Sequence, residues 1–280
     1  MHYQDSLHVA AAQINARLGE VDANLERHLE VIAEAQEQAV ELLVFPELSL
    51  TGYGLGGEVM QVAMPVEDPR LERLARAAGD MQLVVGFVEE ASPGEYYNAL
   101  AILQDGGIVA VHRKLNLPTY GGLEEGKWFT HGSELTQAQV RPGWSATQLI
   151  CADLWNPALV HAALLPRPTV LCAPINSASG IVSDDFSNEQ NWLLNVRFYA
   201  MTYGTPVIMA NRYGPEGDSH FWGGSRILGP RGEVLAEAED REMLITATLS
   251  RTPIARARFE LPTHRDADTP LVRELMAGYR

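Results

Sequence analysis

The sequence is poor in cysteine, in positive charge and in long apolar runs, and each scarcity argues against a class of protein. Two cysteines in 280 residues are too few for a disulfide framework, so a reducing compartment suits the chain. Lysine and arginine total 21 against 36 acidic residues, and the formal net charge of −15 disfavours nucleic acid or an anionic membrane surface as a partner. No apolar run approaches the roughly 20 residues of a membrane-spanning helix.

Two further absences bear on location and on metals. Residues 1–5 lack the basic start and the apolar core of a secretory signal, so we expect a cytoplasmic protein. The eight histidines are scattered and show neither His-x-His nor His-Glu-x-x-His spacing. Such spacing is typical of zinc sites, so we expect no bound metal.

Strand and helix patterns alternate along the chain, with hairpins inserted between them. Apolar runs predict strands at residues 7–14, 42–45, 83–88, 146–150, 169–173, 206–210 and 243–249. Helices are predicted from about residue 22, over 71–78, from Asn156 and over 188–203. Turn residues 104–107 and 229–232 predict two hairpins.

The hydrophobic fraction of 46% can supply a sizeable core, and no Pro-, Gly- or Ser-rich linker divides the chain. We therefore predict one α/β domain over residues 1–280, with two packed sheets covered by helices. Its tail from about residue 251 is predicted to be loop-rich, with a short helix near 271–276. The aromatic residues Trp192, Phe198 and Tyr199 are expected in the helix core.

Cys151 lies where the apolar strand at 146–150 gives way to a helix that Asn156-Pro157 signals. Asn is a favoured helix N-cap, and Pro suits the first helical position. A cysteine on such an elbow can face a cleft, and a nearby helix N-terminus favours its thiolate form. A single cysteine is more often a small core residue, and Cys172, inside its own predicted strand, is interpreted that way.

Glu47 and Lys114 also follow apolar strands. Either residue taken singly is usually solvated, but sites of α/β folds are assembled where strands end. A carboxylate can accept the thiol proton, and an ammonium can stabilise the thiolate. The same ammonium, with a backbone N–H such as that of Ala152, can hold an oxyanion. These groups suit attack on an acyl carbon, which leaves a thioester that water hydrolyses.

Three motifs, in this order, resemble the nitrilase or carbon–nitrogen hydrolase superfamily. The matching runs are Leu42-Leu43-Val44-Phe45-Pro46-Glu47-Leu48 with Thr51-Gly52-Tyr53, then His112-Arg113-Lys114-Leu115 with Leu117-Pro118-Thr119-Tyr120-Gly121, and then Ile150-Cys151-Ala152-Asp153-Leu154. The matches extend from residue 9 to about residue 236. The resemblance implies a four-layer α-β-β-α sandwich, usually dimeric or larger, with no metal or organic cofactor.

By that resemblance Glu47 is the general base, Lys114 the oxyanion stabiliser and Cys151 the nucleophile. Glu125 matches a second glutamate beside the lysine, which would orient the amine leaving group or Lys114, and Glu124 is its alternative. The residues expected to form the wall of the substrate pocket are Tyr53, Tyr120, Ala152, Trp155, Asn176 and Ser177.

The chain departs from true nitrilases, which tend to carry Trp-Glu where it has Ala152-Asp153, and this favours an amide substrate over a nitrile. Residues 151–155 and 176–179 also resemble the glutamine-hydrolysing domains of NAD synthetases. We expect a thiol amidohydrolase that converts a small linear amide to a carboxylate and ammonia. The alternatives are a nitrilase, an N-carbamoyl amide hydrolase, a free-standing glutaminase and, remotely, a non-catalytic interaction protein.

Two further expectations concern partners. The run Gly52-Tyr53-Gly54-Leu55-Gly56-Gly57 spells the dinucleotide fingerprint G-x-G-x-x-G. It lies well past the end of its strand, and no clear helix opens at Gly57, so a mobile loop beside the site is favoured over a nucleotide site. The tail after Arg251 has little to pack on within its own domain, so we expect a homodimer or a higher homo-oligomer with the tail at the interface.

Overall fold

A computed structural model of the chain describes residues 5–183 and 185–279. The expectation about a secretory N-terminus therefore falls, for residues 1–4, outside the described residues. Within the two described ranges, no helix combines the length and the apolar character that crossing a membrane demands.

Two six-stranded sheets and a separate hairpin account for the strands of the described residues. In chain order these are β1 (Ser6–Gln13), β2 (Leu42–Val44), β3 (Gln82–Ser92), β4 (Glu95–Gln104), β5 (Gly107–Arg113), β6 (Gln137–Arg141), β7 (Trp144–Gln148), β8 (Val170–Ile175), β9 (Val207–Asn211), β10 (Tyr213–Glu216), β11 (Ser219–Trp222), β12 (Arg226–Leu228), β13 (Val234–Glu237) and β14 (Met243–Ser250). The first sheet has the order β14-β1-β2-β3-β4-β5 and the second β13-β12-β9-β8-β7-β6. The hairpin is formed by β10 and β11.

Helices lie between the strands and after the last of them. They are α1 (Val21–Glu37), α2 (Val59–Val62), α3 (Pro69–Ala78), α4 (Pro157–Leu164), α5 (Asn188–Tyr203), α6 (Arg251–Glu260) and α7 (Thr269–Ala277). Short 3-10 turns occupy Gly56–Glu58, Glu125–Lys127 and Cys151–Trp155.

The alternation of side chains in β8 explains why the two sheets pack face to face. Val170 and Cys172 lie in the hydrophobic core between the sheets, whereas Leu171 and Ala173 face the core that α4 and α5 cover. A third core lies between the first sheet and α1 and α3. Parallel strands that are buried on both faces have continuous apolar sequences, and this pattern predicted the central strands. The three cores separate four layers, and the predicted α-β-β-α sandwich is confirmed.

The prediction of a loop-rich tail is wrong for its first part, where α6 lies, whereas the short helix predicted near 271–276 is present as α7. Pro253 stands in the first turn of α6, where its missing N–H is tolerated. Ile254 and Ala257 are buried, and Arg258 Nε donates a hydrogen bond to Gly204 O at 3.2 Å. So α6 does pack on its own domain, whereas α7 has no buried residue. The α6 helix escaped prediction because three arginines and a glutamate interrupt its apolar residues and leave a weak apolar period.

Other differences are local. The strand β6, the β10–β11 hairpin and α2 were not predicted, and the run ending at Gly57 does lead into a 3-10 turn and α2. Trp192 and Tyr199 are buried as expected, but Phe198 is 51% exposed, so its assignment to the helix core is wrong. Successive residues of a helix point about 100° apart, which separates Phe198 from its neighbour.

Candidate active site

The ends of β2 and β5 bring two of the three central residues into direct contact. Lys114 Nζ donates hydrogen bonds to Glu47 Oε1 at 2.6 Å and to Glu125 Oε1 at 2.7 Å. The side chains of Glu47 and Lys114 are fully buried, and that of Glu125 is 5% exposed. Asn98 of β4, which sequence reasoning missed, donates its Nδ2 to the same Glu47 oxygen at 2.8 Å.

A glycine in the neighbouring strand allows the segment around Glu47 to approach that strand closely. A Cβ atom on Gly86 of β3 would come within 2.3 Å of Leu48 N and 2.6 Å of Pro46 O. Leu48 itself has a positive φ of 46°, and Leu50 N donates to Gly86 O at 2.9 Å. A glycine inside a strand often marks such a close backbone approach, so this signal was available in the sequence.

Cys151 follows β7 on a strained elbow. Its φ of 42° is in the left-handed region, which is rare for a residue with a side chain and recurs at functional sites. Asp153 holds the elbow: Oδ2 accepts from Ile150 N at 2.9 Å, and Oδ1 accepts from Asn116 N at 2.7 Å. Through these two bonds the fully buried Asp153 fixes the residue before Cys151 against the segment that carries Lys114. Asn156 caps α4 as predicted.

Burial dominates the electrostatics of the Cys151 thiol. Burial raises the pKa of the Cys151 thiol well above its usual value, and the Glu47 carboxylate raises it further. Lys114 and a hydrogen bond from the Asn176 backbone lower this pKa without outweighing burial. The nearby helix N-terminus, which favours a thiolate, does not offset the effect of burial, because desolvation dominates. The thiol therefore needs a base to deprotonate it, as expected from the sequence. The resting group is a neutral thiol.

The lysine and its second carboxylate respond to burial in different ways. Burial lowers the pKa of Lys114, but the Glu125 and Glu47 carboxylates together outweigh that effect, and the pKa lies well above its ordinary value. Lys114 is thus an ammonium. Burial raises the pKa of Glu125 to about 7, against the opposing effect of Lys114. Glu125 can therefore gain or lose its proton near neutral pH.

Glu125 and Glu124 were both open as the second glutamate, and only one contacts the cluster. Glu124 is exposed and pairs with Lys127 on the surface. Glu125 Oε1 accepts from Lys114 and also from Tyr53 Oη, the latter at 2.6 Å. The geometry thus selects Glu125 as the partner of Lys114.

The glycine-rich run that resembles a dinucleotide fingerprint binds a carboxylate of the protein itself. Tyr53 N and Gly54 N donate to the two oxygens of Glu216 at 3.2 and 2.7 Å. A Cβ atom on Gly52, whose φ is 79°, would lie 2.8 Å from Leu18 Cα. The glycines therefore allow a close backbone approach that holds Tyr53 beside Glu125, and the run lies beside the site as expected.

Cys151 lines a narrow cavity of about 30 Å³, which is enclosed by segments that follow strands of both sheets. All six predicted pocket residues line it with Cys151 and Glu125, whereas Glu47 and Lys114 are not among its lining residues. The remaining lining, which the sequence did not reveal, consists of Pro118, Leu123, Ile181, Val182, Asn188 and Trp192. The described ranges contain no group of three His, Cys, Asp or Glu side chains that could hold a metal ion.

Comparison with known proteins places this geometry in a family. The model of the carbon-nitrogen hydrolase family matches residues 8–259. A glutamine-dependent NAD(+) synthetase of Thermotoga maritima is 30% identical over 233 residues, which are 82% of this chain and 39% of the synthetase. The chain thus spans about two fifths of that relative's length.

Two further relatives match over nearly their whole length. An N-carbamoylputrescine amidase of Arabidopsis thaliana is 26% identical, over 92% of this chain and 91% of the amidase. The solved structure of a mutant of the Nesterenkonia AN1 amidase from the nitrilase superfamily is 25% identical and superposes with a TM-score of 0.77, covering 95% of this chain and 98% of the amidase. With the family model matched over most of its residues, the chain belongs to the carbon-nitrogen hydrolase family.

Proposed function

We propose that the chain is a thiol amidohydrolase that converts a small, uncharged linear amide to a carboxylate and ammonia. The main support for this proposal is the hydrogen bonding of the Glu47 carboxylate. Its Oε1 accepts hydrogen bonds from Lys114 and Asn98, whereas its buried Oε2 has no hydrogen-bond partner among the described residues. An unpartnered carboxylate oxygen near a neutral thiol is available to accept the thiol proton.

In the proposed reaction the Cys151 Sγ atom attacks the amide carbon while Glu47 takes the thiol proton. The Lys114 ammonium and the Ala152 N–H hold the oxyanion. Glu47 then passes the proton to the amide nitrogen, the C–N bond breaks and ammonia leaves a thioester on Cys151. Water attacks the thioester with Glu47 as base, the C–S bond breaks, and the sulfur recovers its proton from Glu47.

Glu125 supports this cycle through Lys114. Its Oε1 accepts from both Lys114 and Tyr53, so it fixes the direction in which the ammonium points. Its other oxygen, Oε2, is buried and has no partner among the described residues. Because Glu125 lines the cavity, that oxygen can contact the departing amine.

The charge of the cavity wall separates the candidate substrates. Glutamine carries an ammonium and a carboxylate, and a carbamoylated diamine carries an ammonium. The described lining includes no Lys or Arg, and its one acidic residue, Glu125, is bound to Lys114. An uncharged amide therefore suits the site better than either. A solved Nesterenkonia amidase, 25% identical, has been captured in complex with acrylamide, which is such an amide.

Ammonia release from matched compounds tests the proposal. The purified chain is given aliphatic amides, glutamine, N-carbamoyl amines and the nitrile that shares its carbon skeleton with the best amide. We expect the highest kcat/KM for an uncharged amide and at least a tenfold lower value for its nitrile, because oxyanion donors serve the amide adduct. The Cys151→Ala variant controls for contaminating activity. A nitrile that reacts faster than its amide would identify a nitrilase instead.

We also propose that the chain forms a homodimer through α5 and the tail. Leu194, Phe198 and Met201 of α5 are each at least half exposed, and they line one groove. Arg231 lines the same groove and pairs with Glu260 of α6 at 2.7 Å. Light scattering should give about twice the chain mass of 30.7 kDa, and Phe198→Asp should lower it. A monomer at micromolar concentration would refute this arrangement.

A further inference from the structure

One part of the cavity wall takes no part in the proposed reaction. Asn188, the first residue of α5, lines the cavity together with Ser177. The two residues are 6% and 3% exposed. Asn188 Nδ2 donates to Ser177 Oγ at 3.1 Å, while Asn188 Oδ1 is buried without a hydrogen-bond partner among the described residues.

Ser177 is held firmly in place. Its Oγ accepts a second hydrogen bond from Trp222 Nε1 at 3.0 Å, and its backbone N–H donates to Asn211 Oδ1 at 3.0 Å. An indole N–H can only donate, so Oγ must accept that bond. Because Oγ accepts two hydrogen bonds, its remaining capacity is to donate one through the hydroxyl proton. Among the described residues, the pair therefore leaves one acceptor, Asn188 Oδ1, and one donor, the Ser177 hydroxyl, without a partner.

Buried polar groups without partners are costly, and native proteins usually pair them. Asn188 and Ser177 make no hydrogen bond to Glu47, Lys114 or Glu125, so the acid–base cluster does not explain why their polar groups are buried here. A substrate group that hydrogen-bonds to the unpartnered atoms would explain it. Sites built in this way reject analogues that lack the group, because the protein's polar atoms then stay unpaired.

We propose that Asn188 and Ser177 form a subsite that hydrogen-bonds a hydroxyl or a carboxamide at the far end of the substrate's acyl group. Both groups donate and accept, as this pair does. The neighbouring lining residues Pro118, Ile181 and Val182 are apolar and suit the carbon chain between the two ends. The described lining lacks cationic residues, so a terminal carboxylate would be disfavoured. This inference rests on the amide hydrolysis proposed above.

Pairs of amides that differ only by a hydroxyl or a methyl group test the subsite. Hydroxyacetamide is compared with propanamide, 3-hydroxypropanamide with butanamide, and 4-hydroxybutanamide with pentanamide. At one chain length we expect the hydroxyl compound to have a kcat/KM at least about tenfold higher, the usual value of one buried hydrogen bond. In Asn188→Leu that ratio should fall to about one, and Ser177→Ala should reduce it.

The control is Glu189→Leu, which changes the exposed next residue of the same helix and should keep both the ratio and the activity. Binding of the same pairs to Cys151→Ala, measured by calorimetry, tests the subsite without turnover. The hydroxyl compound should bind more tightly, and the added Asn188→Leu change should abolish the difference. Equal binding of both compounds would overturn the subsite. Tighter binding of the hydroxyl compound without any turnover by the wild type would uphold it and refute amide hydrolysis instead.

Discussion

The two cysteines of the chain are associated with neighbouring strands of one sheet, and burial raises the thiol pKa of each. Their surroundings differ. Cys172 lies inside β8, fully buried between the sheets, and desolvation alone acts on its pKa. Cys151 lies beyond the end of β7, lines a cavity, and is subject to the charges of Glu47, Lys114 and Glu125.

Desolvation therefore does not by itself distinguish a reactive thiol from an inert one. Both thiols are neutral at rest, and only a group that can take the proton makes sulfur nucleophilic. Position in the strand decides which thiol meets such a group. A side chain within β8 faces the opposite sheet, whereas a residue past a strand end can face a cavity.

Replacing the cysteines one at a time should give the largest contrast. Cys151→Ala should lower kcat/KM for the best amide by at least about 10⁴-fold, because the covalent step is lost. Cys172→Ala should keep the activity and lower the free energy of unfolding by about 1 kcal/mol, because it removes packing from the core. Steady-state kinetics and urea unfolding measure the two effects. Loss of turnover in Cys172→Ala at full folding would reverse the assignment.

The proton acceptor of Cys151 gives the next effect. Glu47→Gln preserves the shape of the side chain but removes its basicity, so kcat should fall by about 10³-fold. Glu89→Gln is the matched control, since Glu89 is also buried and paired, with Arg113. It should change the activity by less than about threefold. A fully active Glu47→Gln variant would show that another group deprotonates the thiol.

The second glutamate should have a smaller effect. Glu125→Gln weakens the hold on Lys114, and the loss of one oriented electrostatic contact should lower kcat by about 10²-fold. Glu124→Gln alters an exposed pair with Lys127 and should leave kcat unchanged. If Glu124→Gln were the inactive variant, the assignment within this pair would be wrong.

The polar region around Cys151 should also influence how stability depends on pH. Burial raises the pKa of Glu125 from 4.5 to about 7, so the folded chain binds an additional proton between those values. This contribution to the free energy of unfolding therefore falls as pH rises through that window. His28, in α1, has the opposite sign, because burial lowers its pKa from 6.5 to about 4. In the wild type the two contributions oppose each other.

Removing Glu125 should expose the His28 contribution. Between pH 4.5 and 6.5, the free energy of unfolding of Glu125→Gln should rise by about 2 kcal/mol relative to the wild type. Urea denaturation at the two pH values measures this difference. Cys172→Ala serves as the control, since only desolvation acts on its thiol, and it should keep the wild-type dependence. An unchanged dependence in Glu125→Gln would contradict the raised pKa of Glu125.

Sequence patterns predicted the parts of the molecule that depend on short stretches of chain. Apolar runs located the central strands, and the polar residue after each run located Glu47, Lys114 and Cys151. Lysine is also rare and occurs only at positions 114 and 127, which leaves few candidates for a catalytic ammonium group. Of the two, Lys114 is the one that the structure buries.

The missed features depend on contacts between distant segments. Asn98 reaches Glu47 across 51 positions, and Asn116 meets Asp153 across 37, distances over which no local pattern operates. Asn188 meets Ser177 across 11 positions, again without a local pattern that signals the contact. The prediction of the tail missed the helix α6 for another reason, because the apolar residues of this helix follow no clear helical period.

In the proposed reaction Cys151 carries the acyl group during turnover, and this covalent intermediate can be detected directly. A reaction with the best uncharged amide is quenched in acid, digested and mapped by mass spectrometry. We expect the acyl mass on the peptide that contains Cys151, unmodified Cys172, and no adduct in Cys151→Ala. An acyl group on Cys172, or undiminished ammonia release by Cys151→Ala, would contradict this role of Cys151.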